Sequence, residues 1–203
     1  MTDGFRIWEK WDHPVTVDHM IAMNCGRRFW NADPAKIEAN YGKVLTGLCQ
    51  EICSFINDGR CLIISGPSFS GKTAAAVILG KHVFRYGGSA YIIRPNDLLE
   101  AKETGKEIED GCDVWGYCER IDLLILDDVG SPDTVGRFGE QHVENMVRRR
   151  YNKMLSTVVT TPLAPVKFSE LYPSVWSMLM NAGSLLLVSG QDWTKGDSDG
   201  NGS

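Results

Sequence analysis

The sequence predicts an α/β fold with three layers, in which a parallel sheet of five strands lies between helices. The first observation is that five short apolar runs alternate with segments of helical pattern. The second is a glycine-rich motif placed directly between the first apolar run and a helical segment. With 203 residues, 43% of them hydrophobic, the chain can build one good core, so we expect one main domain.

The glycine-rich motif matches G-x-x-x-x-G-K-[ST] at every fixed position. Its glycines allow backbone N–H groups to point inward beside a helix N-terminus, which creates an anion site. We therefore predict a P-loop that binds the phosphates of a nucleotide, in preference to an ordinary βα turn. Lys72 would reach the β- and γ-phosphates, and the Thr73 hydroxyl would hold Mg²⁺. The predicted phosphate-binding residues are Gly66, Pro67, Ser68, Phe69, Ser70, Gly71, Lys72, Thr73 and Ala74.

A pair of acids ends the third apolar run, where Leu123-Leu124-Ile125-Leu126 is followed by Asp127 and Asp128. Because parallel strands end at the same edge of a sheet, these acids should lie near the P-loop. We expect Asp127 to hold Mg²⁺ and Asp128 to act as the catalytic base that polarises an attacking water. Two acids after a strand are also common in a solvated turn, so the upstream P-loop is what favours the metal role.

The remaining elements follow from apolar spacing and turn residues. Before the P-loop we predict a helix over 34–57 and a strand over 61–65. After it the predicted elements are a helix over 73–84, a strand over 89–93, a short helix over 95–101, a surface loop over 102–111, a strand over 121–126, a helix over 138–155, a strand over 156–161, one or two helices over 166–181, and a strand over 184–188.

We expect three parts along the chain: an N-terminal extension over 1–24, the main domain over 25–190, and a loose polar tail over 191–203. In the extension, Trp8 and Trp11 either cover the edge of the core or dock a partner, and we favour the first.

The net charge of −5 at pH 7 means that no overall positive field attracts DNA or an anionic membrane, so any DNA contact needs a local patch. No apolar run approaches the roughly 18 residues of a membrane span. The first residues also lack the apolar segment of a signal peptide. We therefore expect a cytoplasmic protein without membrane contact.

Several segments resemble one known family. Residues 65–73, 123–130, 143–151 and 157–161 are similar to the AAA+ core of the DnaC/DnaI-type helicase loaders and the IstB-like transposition ATPases. Residues 27–32 resemble the family segment that lies near the adenine, which assigns Phe29 to the nucleotide site. The resemblance covers about residues 25–190 and implies an ATP-driven, self-assembling protein. It also implies contact with single-stranded DNA and a role in placing a replicative helicase or a transposase.

The chain departs from the family pattern in four respects. Pro162 stands where the family has an asparagine sensor, and proline has no side-chain donor. No arginine follows Arg150, so the arginine finger is missing from its usual place around Ser177-Met178-Leu179. The helical lid is expected to be absent or minimal, and fewer than 30 residues precede the core. Because loss of an arginine finger lowers turnover by about 10³- to 10⁵-fold, we expect slow hydrolysis.

Three consecutive arginines, Arg148, Arg149 and Arg150, leave several interpretations open. They could replace the missing finger, contact the phosphates of single-stranded DNA, or lie on a solvated helix face.

Two other functions stay open beside an ATPase of the helicase-loader class. One is a nucleotide-gated adaptor that binds ATP with little hydrolysis. The other is a small-molecule P-loop kinase, which the absence of arginine from the last quarter of the chain argues against.

Overall fold

The computed structural model describes residues 13–36, 39–108, 111–132 and 136–188. The predictions for Trp8, Trp11 and the tail lie outside these residues. The strands are β1 Cys61–Ser65, β2 Ala90–Ile93, β3 Glu107–Ile108, β4 Cys112–Asp113, β5 Leu123–Leu126, β6 Ser156–Thr161 and β7 Gly183–Leu187. The helices are α1 Val17–Ala22, α2 Ala39–Gln50, α3 Ile52–Asn57, α4 Lys72–Arg85, α5 Pro95–Thr104, α6 Val114–Cys118, α7 Gly136–Asn152, α8 Pro165–Leu171 and α9 Pro173–Asn181. Two 3₁₀ turns span Arg27–Phe29 and Pro34–Lys36.

The main sheet has five parallel strands in the order β2-β5-β6-β1-β7, which confirms the predicted architecture. Its register pairs Ser65 at the end of β1 with Thr161 at the end of β6. It also pairs Leu126 at the end of β5 with Val159. The loops that follow β1, β5 and β6 therefore leave the sheet at one edge, which is where ligands bind in folds of this kind.

Helices cover both faces of the sheet, so alternate residues of one strand enter different parts of the core. Leu62 and Ile64 pack with α2, α3 and α4 on one face. Ile63 packs with α5, α7 and α9 on the other. Burial on both faces explains why β1 is apolar along its whole length rather than alternating. Among the described residues, no helix has both the length and the apolar character needed to cross a bilayer.

Some predicted boundaries were wrong. The single helix over 34–57 is divided, because Glu51, with φ −98° and ψ 14°, interrupts it between α2 and α3. The surface loop over 102–111 instead contains the end of α5 and the first strand of a short antiparallel hairpin, β3 with β4. Strands of two residues show no alternation that a sequence pattern could reveal.

Arg150 corrects the interpretation of the arginine run. Its side chain has 0% exposure and donates to the carbonyls of Cys118, Ile121, Asp122 and Ser156 and to the Thr157 hydroxyl. The predictions that it contacts DNA, replaces a finger or lies on a solvated face are therefore wrong for this residue. Arg148 and Arg149 are exposed and form ion pairs with Glu144 and Glu119.

Candidate functional site

The glycine-rich loop joins the end of β1 to the first turn of α4, and two of its glycines are required by geometry. Gly71 has φ 89°, in the left-handed region where a side chain is strained. A Cβ on Gly66 would collide with the backbone carbonyl oxygen of Val188, just beyond β7. The loop can therefore approach the neighbouring strand closely while it turns into the helix.

Phe69 lies in the same loop and has a left-handed backbone without being a glycine. It has φ 62° although it is not glycine, and 69% of its surface is exposed. A bulky residue in this region is strained, and its ring gains little from packing. The loop therefore stores a local backbone cost at this position.

Two polar groups on the inner side of the loop suit an anion. Lys72 is 6% exposed, and its Nζ donates to the Pro67 carbonyl at 2.6 Å. Burial lowers the pKa of Lys72, while the nearby charges of Asp128 and Asp127 act in the opposite direction. The Ser70 hydroxyl is buried and has no hydrogen-bond partner among the described residues. A buried cation beside an unsatisfied donor fits the oxygens of a phosphate chain.

The acid at the end of β5 lies beside this loop. Asp127 is 5% exposed, and its Oδ1 accepts hydrogen bonds from the Thr73 hydroxyl at 2.9 Å and from the Thr160 hydroxyl at 2.7 Å. Burial raises the pKa of Asp127, and the two hydroxyl donors lower it in part. The structure thus brings together Thr73 and Asp127, 54 residues apart, as adjacent oxygen groups of the type that Mg²⁺ prefers.

Asp128 turns away from the strand with a left-handed backbone. Its φ is 63°, and its N–H donates to the Thr160 hydroxyl at 2.8 Å. Thr160, which contacts both acids in this way, was missed by the sequence analysis. The signal that could have identified Thr160 is a hydroxyl residue near the end of a strand that is buried along its whole length.

Phe29 lies in the 3₁₀ turn that precedes α2, and this turn packs against α4, the helix that begins at the loop. Lys81 of α4 fixes the segment by donating to the carbonyls of Trp30 and Ala32 at 2.6 and 2.8 Å. Burial raises the pKa of neighbouring Cys25 to about 11, and the Asp127 charge contributes to that shift. The segment is therefore fixed to the helix that begins at the glycine loop.

The loop after β6 is tied to the strand that carries the glycine loop. The Ser65 hydroxyl donates to the Leu163 carbonyl at 2.7 Å, and the Leu163 N–H donates to the Thr161 hydroxyl at 3.2 Å. Pro162 lies between these anchors, at the edge of the sheet where the acids emerge. It brings no side-chain donor to this edge.

Comparisons with solved structures show where this fold recurs. The DnaC helicase loader has a TM-score of 0.66 and 23% identity, over 80% of this chain and 99% of that chain. DnaI has a TM-score of 0.64 and 14% identity, over 82% and 93%. The replication initiator DnaA bound to AMPPCP and single-stranded DNA has a TM-score of 0.57 and 15% identity, over 79% and 52%. These likenesses establish the P-loop NTPase fold.

Sequence comparison adds the family. No curated protein matches the chain significantly. Residues 41–175, more than half of the chain, match the family profile described as IstB-like ATP binding protein. This span includes the glycine loop, both acids and Thr160. The chain therefore belongs to the family of IstB-like ATP-binding proteins.

Proposed function

We propose that this protein is a slow AAA+ ATPase of the helicase-loader and IstB-like type. It would assist DNA replication or transposition by loading or remodelling a DNA-bound partner protein. The observation that carries the proposal is the 2.9 Å hydrogen bond between Thr73 and Asp127, because it joins the glycine loop to the acid of β5.

Each residue of the site has a task in this proposal. The loop N–H groups and Lys72 bind the phosphates, while Thr73 and Asp127 hold the metal through oxygen. When bound, Mg²⁺ would supply positive charge that neutralises the phosphate oxygens. Asp128 would accept a hydrogen bond from the attacking water, and Phe29 would lie near the adenine.

Slow turnover is expected because the sequence lacks two catalytic groups at this edge of the site. Pro162 provides no donor for the attacking water or the γ-phosphate. No arginine follows Arg150, and Arg150 itself is buried. Loss of an arginine finger alone lowers turnover by about 10³- to 10⁵-fold in P-loop enzymes.

A second candidate is a nucleotide-gated adaptor, in which bound ATP orders a surface and is hardly hydrolysed. Pro162 is the observation that favours it, because the residue removes a catalytic donor without changing the phosphate loop. The adaptor and the ATPase would share the binding site and differ in turnover.

Contacts with macromolecules are part of the proposal. The exposed Arg148 and Arg149 pair with carboxylates, and such surface pairs are weak enough to exchange for DNA phosphates. The similar fold of DnaA, described as bound to single-stranded DNA, and that of DnaC, described as a helicase loader, support this direction. Self-association and a helicase or transposase partner rest on the family resemblance.

The binding site is tested by thermal unfolding with and without Mg·ATP. At 100 times the dissociation constant, a ligand stabilises a protein by about 2.7 kcal/mol, which corresponds to a shift of about 5–10 °C for a domain of this size. Lys72→Ala should abolish the shift, whereas Lys167→Ala, which changes an exposed lysine paired with Glu170, should keep it. An undiminished shift in Lys72→Ala would contradict the proposal.

Steady-state hydrolysis separates the two candidates. Turnover that single-stranded DNA stimulates supports the ATPase. Binding of Mg·ATP without measurable turnover in either condition supports the adaptor.

A further inference from the structure

β6 ends in two consecutive buried threonines whose hydroxyl groups have different partners. Thr161 donates to the Val129 carbonyl at 2.7 Å and does not hydrogen-bond either acid within the part of the chain that the structure describes. Thr160, at 0% exposure, donates to Asp127 Oδ1 and accepts the N–H of Asp128. One hydroxyl thus contacts both acids of the site.

The first of these contacts concerns the orientation of the Asp127 carboxylate. A threonine hydroxyl has a single proton to donate, and Thr160 donates it to Oδ1, the same oxygen that Thr73 contacts. Oδ2 receives no side-chain hydrogen bond from the described residues. Two donors on one oxygen fix the plane of the carboxylate and leave the other oxygen for a cation.

The second contact concerns the backbone of Asp128. Its φ of 63° is unfavourable for a residue with a side chain. Two hydrogen bonds to Thr160 hold this turn: the Asp128 N–H donates to the hydroxyl at 2.8 Å, and the Val129 N–H donates to the carbonyl at 2.9 Å. The direction in which Asp128 leaves the strand therefore depends on Thr160.

We propose that Thr160 is a positioning residue that sets Asp127 for the metal and Asp128 for the attacking water at the same time. This inference rests on the proposed Mg·ATP site. Thr160 acts through the two acids, because its hydroxyl is already engaged by both of them. Loss of groups that orient metal ligands typically weakens metal affinity by about 10- to 100-fold.

The test is a titration with Mg²⁺ in which ATP binding is measured with a fluorescent ATP analogue and by thermal unfolding. Thr160→Val keeps the shape and removes the hydroxyl, Thr160→Ser keeps the hydroxyl, and Thr161→Val removes a neighbouring buried hydroxyl. We expect Thr160→Val to require about 10- to 100-fold more Mg²⁺ for half-maximal binding. Thr160→Ser and Thr161→Val should require the same Mg²⁺ as the unchanged protein. Nucleotide binding in EDTA should be equal in all four proteins.

Several results would overturn the inference. One is a Mg²⁺ requirement in Thr160→Val that equals that of the unchanged protein. Another is an equal rise in Thr160→Val and Thr161→Val, which would mean that both hydroxyls serve only the fold. If Thr160→Val does not fold, Thr160→Ala, which also removes the hydroxyl, replaces it, and an unchanged requirement in that variant is equally decisive. A failure of the unchanged protein to bind Mg·ATP would instead refute the proposed function.

Discussion

Replacing Arg150 by methionine should destabilise the protein strongly although no ligand is involved. The guanidinium is completely buried, and it hydrogen-bonds the residues before β5 and the start of β6. Its distances are 3.1 Å to the Thr157 hydroxyl, 2.7 Å to the Cys118 carbonyl, 2.9 Å to the Ile121 carbonyl and 3.3 Å to the Asp122 carbonyl. It also donates to the Ser156 carbonyl. Burial lowers the pKa of Arg150 to about 10, so the side chain stays charged at neutral pH.

The magnitude follows from the carbonyl groups that lose this donor. A buried acceptor left without a partner costs about 1–3 kcal/mol. If two of the four carbonyls stay unsatisfied and water reaches the others, Arg150→Met lowers the free energy of unfolding by about 2–6 kcal/mol. That is a large share of the roughly 5–15 kcal/mol that holds a domain folded. Methionine fills much of the space of the arginine stem, so the cavity adds little.

The assay is urea unfolding at 25 °C, with Arg149→Met as the matched control. Arg149 lies on the same turn, is exposed and pairs with Glu119 at 3.2 Å. Its replacement should change the free energy of unfolding by less than about 1 kcal/mol. Arg150→Lys should fall between the two, because an ammonium group retains up to three donors. Equal losses in Arg150→Met and Arg149→Met would refute the reasoning.

Three further predictions concern the site. Their effects on stability are measured by thermal unfolding in EDTA without nucleotide, and their effects on ATP binding are measured separately. Because burial raises the pKa of Asp127, its stabilising contribution is complete below the ordinary carboxyl pKa and is lost as pH rises through the raised value. Asp127→Asn should therefore be more stable than the unchanged protein at pH 7 and less dependent on pH, yet should lose the Mg²⁺-dependent part of ATP binding. Phe69→Gly should gain about 0.5–1 kcal/mol, because it relieves a left-handed φ at an exposed position. Gly66→Ala should lose about 1–3 kcal/mol and weaken ATP binding, because its methyl group meets the Val188 carbonyl.

Each of these outcomes has a clear contrary result. A stability that rises with pH in the range where Asp127 titrates would reverse the sign of its contribution. A destabilised Phe69→Gly would mean that the ring packs more than its exposure indicates. Full ATP binding by Gly66→Ala, with Gly47→Ala as a control glycine that lies in open space and, like Gly66, has no positive φ, would remove the steric argument.

The parts of the fold that the sequence predicted best are those buried from both sides. β1 and β6 were predicted to the residue, because a strand between two helical layers is apolar or hydroxyl-bearing throughout and ends where polar loops begin. The proximity of the glycine loop and Asp127 was predictable for a related reason, since both follow parallel strands whose ends share one edge.

The residues that sequence reasoning misjudged are polar groups with buried partners. Arg150 lies in the last turn of a helix rich in charge, and the sequence does not show which of three adjacent arginines faces the sheet. Thr160 resembles any β-branched strand residue, and its role depends on the positive φ of Asp128. Both roles arise from hydrogen bonds across about 30 residues of sequence, which no local pattern encodes.

The hydrogen bonds inside the site indicate how ATP and Mg²⁺ would depend on each other. Lys72 donates to the Pro67 carbonyl and Thr73 donates to Asp127, so each group already has a partner within the protein. Exchanging these bonds for bonds to phosphate or metal gains little by itself. The net gain must come from the Ser70 hydroxyl, which has no hydrogen-bond partner among the described residues, and from charge: phosphates favour the buried lysine, and a cation favours the buried carboxylate. Because the two charges act on neighbouring residues, each ligand should tighten the binding of the other by the same factor, as thermodynamic linkage requires.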